Sequence, residues 1–291
     1  MTTREIEAKS LLAPVKQPDR WFGLRYSMNL YRGCQHRCIY CDSRSECYGI
    51  ENFDGEVLVK ANAIELLRHE LAHKRIKGMI GTGSMNDPYM PLERTVRLTG
   101  RALEVIAEFG FPVHVLTKSD LVLRDLDTLL AINRTRAVVS FTITTADDDL
   151  ARQVEPGAPP PSARFRAMAT LAERGIATGV LLMPVLPFLE DSAENIAEIV
   201  ARAHACGASH VIPAFGMTLR DRQRSHYYAQ LDRRFPGTRE KYERAFGERY
   251  FAPATGAARL EALFDDLAAC YGLQRSVAPY RPAEAKQLAL F

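Results

Sequence analysis

The sequence has no apolar run long enough to cross a membrane. Its longest apolar stretch, 179–189, is too short for a bilayer span and contains two prolines. The N-terminal 16 residues include Glu5 and Glu7 and lack the apolar segment of an export signal. We therefore expect a cytoplasmic protein that does not enter a membrane and whose thiols stay reduced.

The sequence also lacks a large excess of charge of either sign. The 291 residues contain 38 Lys and Arg against 35 Asp and Glu, a net charge of +3, which excludes a polyanion and a strongly basic nucleic-acid arm. With 47% hydrophobic and 25% charged residues the composition is that of an ordinary globular protein. This composition and length exclude disorder and a small disulfide-stapled domain.

Short apolar runs rich in β-branched residues alternate with longer amphipathic stretches. The runs predict strands at 28–31, 78–81, 113–117, 137–143, 178–183 and 210–215. The amphipathic stretches predict helices at 61–75, 92–109, 125–132, 162–174 and 192–205. Six strand–helix units imply parallel pairing, in a doubly wound sheet or a complete or partial TIM-like barrel, of which we favour the partial barrel.

The pattern divides the chain into four parts. We predict an N-terminal arm at 1–25, the α/β barrel at 26–216, a helical C-terminal extension at 217–278 and a flexible tail at 279–291. Residues 220–249 contain nine Lys and Arg against five Asp and Glu, with aromatic residues between them. These aromatics predict either a groove in which nucleic-acid bases stack or a helical segment packed on the barrel.

Three cysteines fall within eight residues, directly after the first predicted strand. Cys34, Cys38 and Cys41 lie on one loop, so their thiols can converge as soft ligands on one metal centre. Three thiolates can hold three irons of a [4Fe-4S] cluster and leave the fourth iron open. The alternatives are a zinc site completed by His36 or Cys47, and thiols that bind no metal.

The C-x3-C-x2-C spacing, with Tyr40 before the last cysteine, resembles the cluster loop of the radical S-adenosylmethionine (SAM) superfamily. The run 29–43 resembles more narrowly the spore photoproduct lyase-like, or DNA repair photolyase-like, branch. The resemblance extends over most of residues 25–215. It implies an α/β fold, the partial (β/α)6 TIM-like barrel of radical SAM type, here followed by the helical extension.

The resemblance also implies an activity. A [4Fe-4S] cluster on the three cysteines would bind SAM and cleave it reductively to methionine and a 5′-deoxyadenosyl radical, with an electron donor such as flavodoxin or ferredoxin. Repair or modification of DNA is the leading expectation for this lyase-like enzyme. The alternatives are a radical SAM enzyme acting on a peptide, protein or small metabolite, and a non-catalytic zinc-binding nucleic-acid module.

The resemblance places SAM-binding residues at the ends of the predicted strands. Lys118 closes the third strand, where its cation can pair with the SAM carboxylate, although an ordinary surface lysine is the alternative. The other expected cofactor-binding residues are Tyr40, Gly83, Ser84, Asp87, Ser140 and Thr142. For Asp87 the alternative is a solvated loop carboxylate, and for Ser140 and Thr142 it is a polar residue satisfied in the core.

One position departs from the related lyases. These enzymes use a cysteine thiol as hydrogen-atom donor in the loop after the second strand, where this chain has Ser84. A serine O–H bond is too strong for that task, so we consider Cys47 and Tyr89 as catalytic hydrogen-atom donors instead. The alternatives are an idle thiol and a tyrosine packed on the loop.

The last five residues resemble the peptide with which bacterial repair and replication proteins bind the sliding clamp. Gln287, Leu288, Leu290 and Phe291 match its glutamine and its apolar anchors. Prolines at 279 and 282 favour an extended tail before it. The sequence therefore predicts a sliding clamp as a partner, unless the apolar end folds back on its own domain.

Overall fold

The computed structural model describes residues 1–15 and 19–282. Its strands are β1 (Thr2–Ile6), β2 (Leu12–Pro14), β3 (Tyr26–Met28), β4 (Tyr31–Arg32), β5 (Glu56–Lys60), β6 (Ile80–Thr82), β7 (Val113–Thr117), β8 (Ala137–Thr142), β9 (Ala177–Leu182), β10 (His210–Pro213), β11 (Gly216–Thr218) and β12 (Phe251–Pro253). Its helices are α1 (Ala63–Ala72), α2 (Glu93–Val96), α3 (Leu98–Phe109), α4 (Leu126–Asn133), α5 (Asp148–Val154), α6 (Pro161–Glu173), α7 (Ala193–Ala205), α8 (Asp221–Arg234), α9 (Thr238–Phe246) and α10 (Ala257–Tyr271).

Six parallel strands form the central sheet, in the order β10-β9-β8-β7-β6-β3, and β2 adds an antiparallel strand beside β3. Helices connect successive parallel strands, as parallel pairing requires. The predicted α/β fold with six parallel strands is confirmed. The predicted helix 92–109 is divided, because Arg97 adopts a left-handed conformation with φ +52° between α2 and α3.

Both faces of the central strands are buried, which explains why β7 and β8 consist mostly of apolar residues and do not alternate with exposed polar ones. One face, with Val139 and Val180, packs against the outer helices. The opposite face, with Val138 and Leu181, belongs to a separate apolar cluster in the concave interior of the sheet. The sheet therefore carries a packed interior beneath the loops at its carboxyl edge.

The predicted N-terminal arm pairs with the rest of the chain. β1 lies parallel to β5, and β4 lies antiparallel to β5, so that these three strands form a second sheet. The sequence pattern does not predict β5, because Val57, Leu58 and Val59 are too few to establish a period. The first predicted strand, 28–31, is displaced, since β3 ends at Met28 and β4 joins the second sheet.

The C-terminal extension is helical, as predicted, apart from the short β11–β12 pair. Tyr227 and Tyr242 are fully buried, and their ring centroids lie 5.3 Å apart. Phe246 packs against Tyr242 with centroids 5.4 Å apart. These aromatics form an apolar cluster within the extension, so the interpretation of them as stacking platforms for bases is wrong.

The predicted partners are a sliding clamp and no membrane. Gln287, Leu288, Leu290 and Phe291 lie outside the described residues, and the sliding clamp stays a prediction. Among the described helices, none is long and apolar enough to cross a membrane.

Three polar side chains interrupt the apolar interior. Ser140 Oγ lies 2.7 Å from Nε2 of both His114 and His210. His114 Nδ1 lies 3.1 Å from the carbonyl oxygen of Phe22, so this nitrogen donates and Nε2 accepts the Ser140 hydroxyl hydrogen. Because a serine hydroxyl donates only once, His210 Nε2 donates to Ser140. The chain of hydrogen bonds therefore requires a neutral His114. In a neutral His210, Nδ1 accepts from Ser209 Oγ, which lies 3.0 Å away.

We expect the free energy of unfolding to fall as the pH drops from about 6.5 towards 4. Burial lowers the pKa of His114 to about 4 and that of His210 to about 3, so both stay neutral in the folded state. In the unfolded chain both protonate near pH 6.5, and the unfolded state then binds more protons. Above pH 6.5 the stabilisation is fully present. Below pH 6.5 each histidine lowers the free energy of unfolding by up to about 1.4 kcal/mol for each pH unit, until the pH reaches its pKa in the folded state.

Urea unfolding between pH 7 and pH 4 measures this slope. The variant His210→Gln removes one of the two groups, so its stability should depend less steeply on pH than that of the wild type. An equal slope in both proteins would contradict the assignment of His210.

Candidate functional site

The three cysteines lie on the loop that follows β4. Cys34 and Cys38 are buried, and Cys41 is half-buried. The loop is fixed by a hydrogen bond from Ile39 N to Val154 O at 2.9 Å. Gly157 lies against it so closely that a Cβ there would be 2.2 Å from Gln35 O, which restricts this position to glycine.

The three thiols share one electrostatic environment. Burial raises the pKa of Cys34 to about 12 and that of Cys38 and Cys41 above the usual value, and the charge of Lys118 opposes this at Cys38 and Cys41. The charges of the three sulfurs act on one another, and Cys41 packs against the two apolar clusters that contain Cys34 and Cys38. Buried thiols need a cationic centre to become thiolates, and this donor set fits a [4Fe-4S] cluster with one open iron.

The zinc alternative requires His36 or Cys47 as a further ligand. Both ring nitrogens of His36 have protein neighbours, Nδ1 at 2.9 Å from Gly157 O and Nε2 at 3.2 Å from Asp87 Oδ2. The Cys47 sulfur accepts from Arg220 Nη1 at 3.2 Å. In residues 1–15 and 19–282, no three His, Cys, Asp or Glu side chains, those of the cysteine loop included, are grouped closely enough to hold a single metal ion.

Asp87 joins the loop after β6 to the cluster loop and to β7. Its carboxylate accepts from Tyr89 N at 2.8 Å, from the Thr117 hydroxyl at 2.7 Å and from Lys118 N at 2.6 Å, and it lies beside His36. Burial opposes ionisation, but His36 and these donors lower its pKa to about 2. Asp87 is therefore not a solvated loop carboxylate; it positions the loop, and its contact with SAM stays a prediction.

Lys118 lies at the end of β7, as predicted, beside a buried carboxylate. Its Nζ is 3.8 Å from Glu155 Oε1 and 5.7 Å from the centroid of the Tyr40 ring. The Tyr40 hydroxyl donates to Glu155, and Arg164 Nη2 lies 2.5 Å from Glu155 Oε2. Burial disfavours the charges of Lys118 and Glu155, but the neighbouring charges keep the pKa of the lysine raised and that of the glutamate lowered.

Lys118 is thus a charged ammonium next to the cluster loop, with only 17% of its side chain exposed. Glu155 and Arg164 have no role that is predicted from the sequence. The signal in the sequence that could have indicated them is their position on either side of the uncharged segment 156–163.

Gly83 and Ser84 begin the loop that leads to Asp87. Gly83 has φ +89°, and a Cβ there would lie 2.1 Å from Leu116 O, so only glycine lets this loop approach β7. The Ser84 hydroxyl lies 3.4 Å from both Ser27 Oγ and Asn29 Oδ1.

Ser140 and Thr142 share one face of β8, as predicted, but differ in their surroundings. The Ser140 hydroxyl is fully buried between two imidazoles, which corrects the expectation that it faces the cofactor. Thr142 ends the strand, and its carbonyl oxygen accepts from Arg164 Nη1 at 2.7 Å.

The two predicted hydrogen-atom donors lie in different surroundings. Tyr89 is fully buried in the core on the helix side of the sheet, and its hydroxyl donates to Asp125 at 3.0 Å. This placement contradicts a donor role for Tyr89. Cys47 is exposed and lies beside Arg220, at the junction of the cluster loop and the extension.

Comparison with known proteins identifies the family. The sequence matches the Radical SAM superfamily over residues 28–201. An uncharacterized protein of Mycobacterium tuberculosis is 31% identical over an alignment of 290 residues that covers 97% of this chain and 84% of that protein. An uncharacterized protein of Methanocaldococcus jannaschii is 35% identical over 196 residues, which are 67% of this chain and 71% of that protein.

The fold is shared with a solved enzyme. A variant of spore photoproduct lyase with bound AdoMet and dinucleoside spore photoproduct superposes with a TM-score of 0.67 and 14% identity, covering 92% of this chain and 78% of that one. The resemblance seen in the cysteine loop is thereby confirmed at the level of the fold. With the family match across 28–201, this establishes that the chain belongs to the radical SAM superfamily and is an enzyme of that family.

Proposed function

We propose that Cys34, Cys38 and Cys41 hold a [4Fe-4S] cluster and that the enzyme uses it to cleave SAM reductively. The observation that carries this proposal is the loop with three thiols, buried or half-buried, whose charges act on one another, with the Lys118 ammonium beside it. When bound, the cluster and SAM supply one-electron cleavage of the sulfonium C–S bond, which gives methionine and a 5′-deoxyadenosyl radical.

The residues of this chain bind and orient the cofactor. Lys118 offers a charged ammonium to the SAM carboxylate, and the buried Glu155–Arg164 pair holds that lysine in place. Gly83 lets the loop after β6 pack against β7, and the backbone of this loop is the proposed contact to SAM. Tyr40, Ser84 and Thr142 are the remaining candidates at this edge of the sheet. The apolar interior below excludes water from the radical.

We further propose that the substrate is DNA, in a repair or modification reaction. Spore photoproduct lyase, whose fold this chain shares, is named with a bound dinucleoside lesion. Because Ser84 replaces the donor cysteine of the related lyases, the exposed Cys47 is the proposed hydrogen-atom donor. The family assignment does not support the non-catalytic zinc module, and an enzyme acting on a peptide, protein or small metabolite is the competing outcome.

The proposed cellular context follows the sequence analysis. A cytoplasmic location, where flavodoxin or ferredoxin would supply the electron, is retained, as is the division at 25, 216 and 278. The sliding-clamp partner has no support beyond the sequence of the tail.

Anaerobic reconstitution with iron and sulfide, followed by dithionite and SAM, tests the proposal. We expect iron with acid-labile sulfide and the formation of 5′-deoxyadenosine. Ultraviolet-damaged DNA should increase that yield, whereas peptide and metabolite pools should not. Stoichiometric zinc in place of iron would overturn the cluster, and an increase with peptide alone would overturn the DNA substrate.

A further inference from the structure

A cavity of about 530 Å³ lies between the cluster loop and helix α8. Gln35 and Arg37 line it from the cluster loop, and His226, Arg233 and Arg234 line it from α8. The last three lie at positions i, i+7 and i+8 of the helix, and hence on one face. The cavity therefore exists because the extension packs beside the cluster loop.

The cavity contains an excess of positive charge. Four arginines and His226 line it together with one carboxylate, that of Asp54. Asp54 is committed to Arg44, whose guanidinium nitrogens lie 2.5 and 2.6 Å from its oxygens. In the part of the chain that the structure describes, the other three arginines of the cavity form no ion pair. They therefore leave room for an anion from outside the chain.

Arg37 also has an unusual backbone. Its φ of +52° lies in the left-handed region, where a residue with a Cβ is strained and glycine is favoured. Such strain persists where the surrounding structure enforces it, and it concentrates at functional sites. Here the strained position carries an exposed guanidinium into the wall of the cavity.

The size and shape of the cavity restrict its ligand. Guanidinium groups match the oxygens of a phosphate through paired hydrogen bonds. The volume lies in the range of small-molecule sites and exceeds what one phosphate needs, so a nucleotide unit can enter. An acidic protein would instead require a broad face of about 800 Å². A concave site with arginines on its walls favours a nucleic-acid strand.

We propose that this cavity binds a backbone phosphate of a nucleic-acid strand, through Arg37, Arg233 and Arg234. The inference rests on the proposed DNA substrate and adds the place at which the strand is held. It sets the strand beside the loop that carries Cys34 and Cys38.

Fluorescence anisotropy with labelled single-stranded and duplex oligonucleotides tests the site on the full chain. We expect Arg37→Gln/Arg233→Gln to weaken binding at least tenfold, because two phosphate contacts are lost. The slope of log K against log salt should fall in magnitude by about 0.7 for each contact to a single strand. The matched control is Arg101→Gln/Arg166→Gln, which removes the same charge from exposed positions of α3 and α6 and should bind as the wild type does.

A second variant separates binding from folding. Arg37→Gly relieves the left-handed backbone, so its melting temperature should rise while its affinity for the oligonucleotide falls. Unchanged affinity in both the double variant and Arg37→Gly would overturn the proposal. The proposal would also be overturned if these variants lost binding to an acidic electron carrier but still bound the oligonucleotide as the wild type does.

Competition distinguishes the sources of the phosphate. Millimolar AMP or inorganic phosphate should displace the oligonucleotide only weakly if the strand is the ligand. Saturation of the cavity by AMP, with oligonucleotide affinity unaffected by the substitutions, would overturn the strand assignment. If the wild type cleaves SAM but binds no oligonucleotide, both the cavity assignment and the proposed DNA substrate fail. If the wild type and the double variant bind the oligonucleotide equally well, only the cavity assignment fails.

Discussion

Replacing Cys34, Cys38 or Cys41 singly by alanine is expected to abolish both iron uptake and the formation of 5′-deoxyadenosine. In the proposed site each sulfur supplies one of three protein ligands, and the loop that carries them is anchored by the hydrogen bond from Ile39 N to Val154 O. Loss of an outer-shell partner of a metal ligand typically costs 10–100-fold, so loss of a ligand should reduce the yield by more than about 100-fold.

The measurement is iron and sulfide content after anaerobic reconstitution, together with chromatographic quantification of 5′-deoxyadenosine. Cys270→Ala is the matched control, since Cys270 is an exposed thiol on α10. It should match the wild type in iron content and product. A variant lacking Cys38 that keeps the iron content of the wild type would refute the assignment of this loop.

Replacement of Arg164 by methionine should lower the free energy of unfolding by about 3–5 kcal/mol, the usual cost of breaking a buried ion pair. Arg164 and Glu155 are each about 1% exposed. Methionine fills much of the space but leaves the carboxylate without its nearest cation. It also removes the donors to the carbonyl oxygens of Pro159 and Thr142, at 2.8 and 2.7 Å.

Urea denaturation measures this loss, with Arg166→Met as the control. Arg166 is exposed two residues along the same helix, so its replacement should change stability by less than about 0.5 kcal/mol. The double variant Arg164→Met/Glu155→Gln should recover part of the loss, because the buried charge is removed with its partner. A loss below about 1 kcal/mol for Arg164→Met would show that this pair does not hold the site together.

The second readout of Arg164→Met is the position of Lys118. Glu155 connects the two cations, so the variant should also bind SAM more weakly at a temperature where it remains folded. A variant that is destabilised but binds SAM as the wild type does would leave Arg164 with a purely structural role.

Much of the fold is predictable because its signals are local. β7 is predicted residue for residue, since burial on both faces gives a short run of mostly apolar and β-branched residues. The cysteine loop is equally evident, because its three ligands are contained in eight residues. The position of Lys118 follows from the predicted end of its strand.

The remaining contacts join residues far apart in the chain, and no local pattern encodes them. Glu155 contacts Tyr40, which lies 115 residues earlier in the chain. Ser140 has the same alternation as a ligand-facing residue, and only the two histidines on neighbouring strands show that it belongs to the interior. The side chain of Tyr89 points into the core on the helix side of the sheet, and the sequence of a loop does not specify the direction of a side chain.

The start of α8 is bonded to the segment that surrounds and follows Cys41. Gln223 Nε2 donates to Tyr40 O at 3.1 Å, and Asp221 accepts from Ser45 Oγ at 3.0 Å and from Glu46 N at 3.1 Å. These bonds couple the extension to the loop thermodynamically. A ligand that binds the loop and favours the docked position of α8 is therefore itself bound more tightly when α8 is docked. The two effects are equal in size, because the coupling free energy is reciprocal.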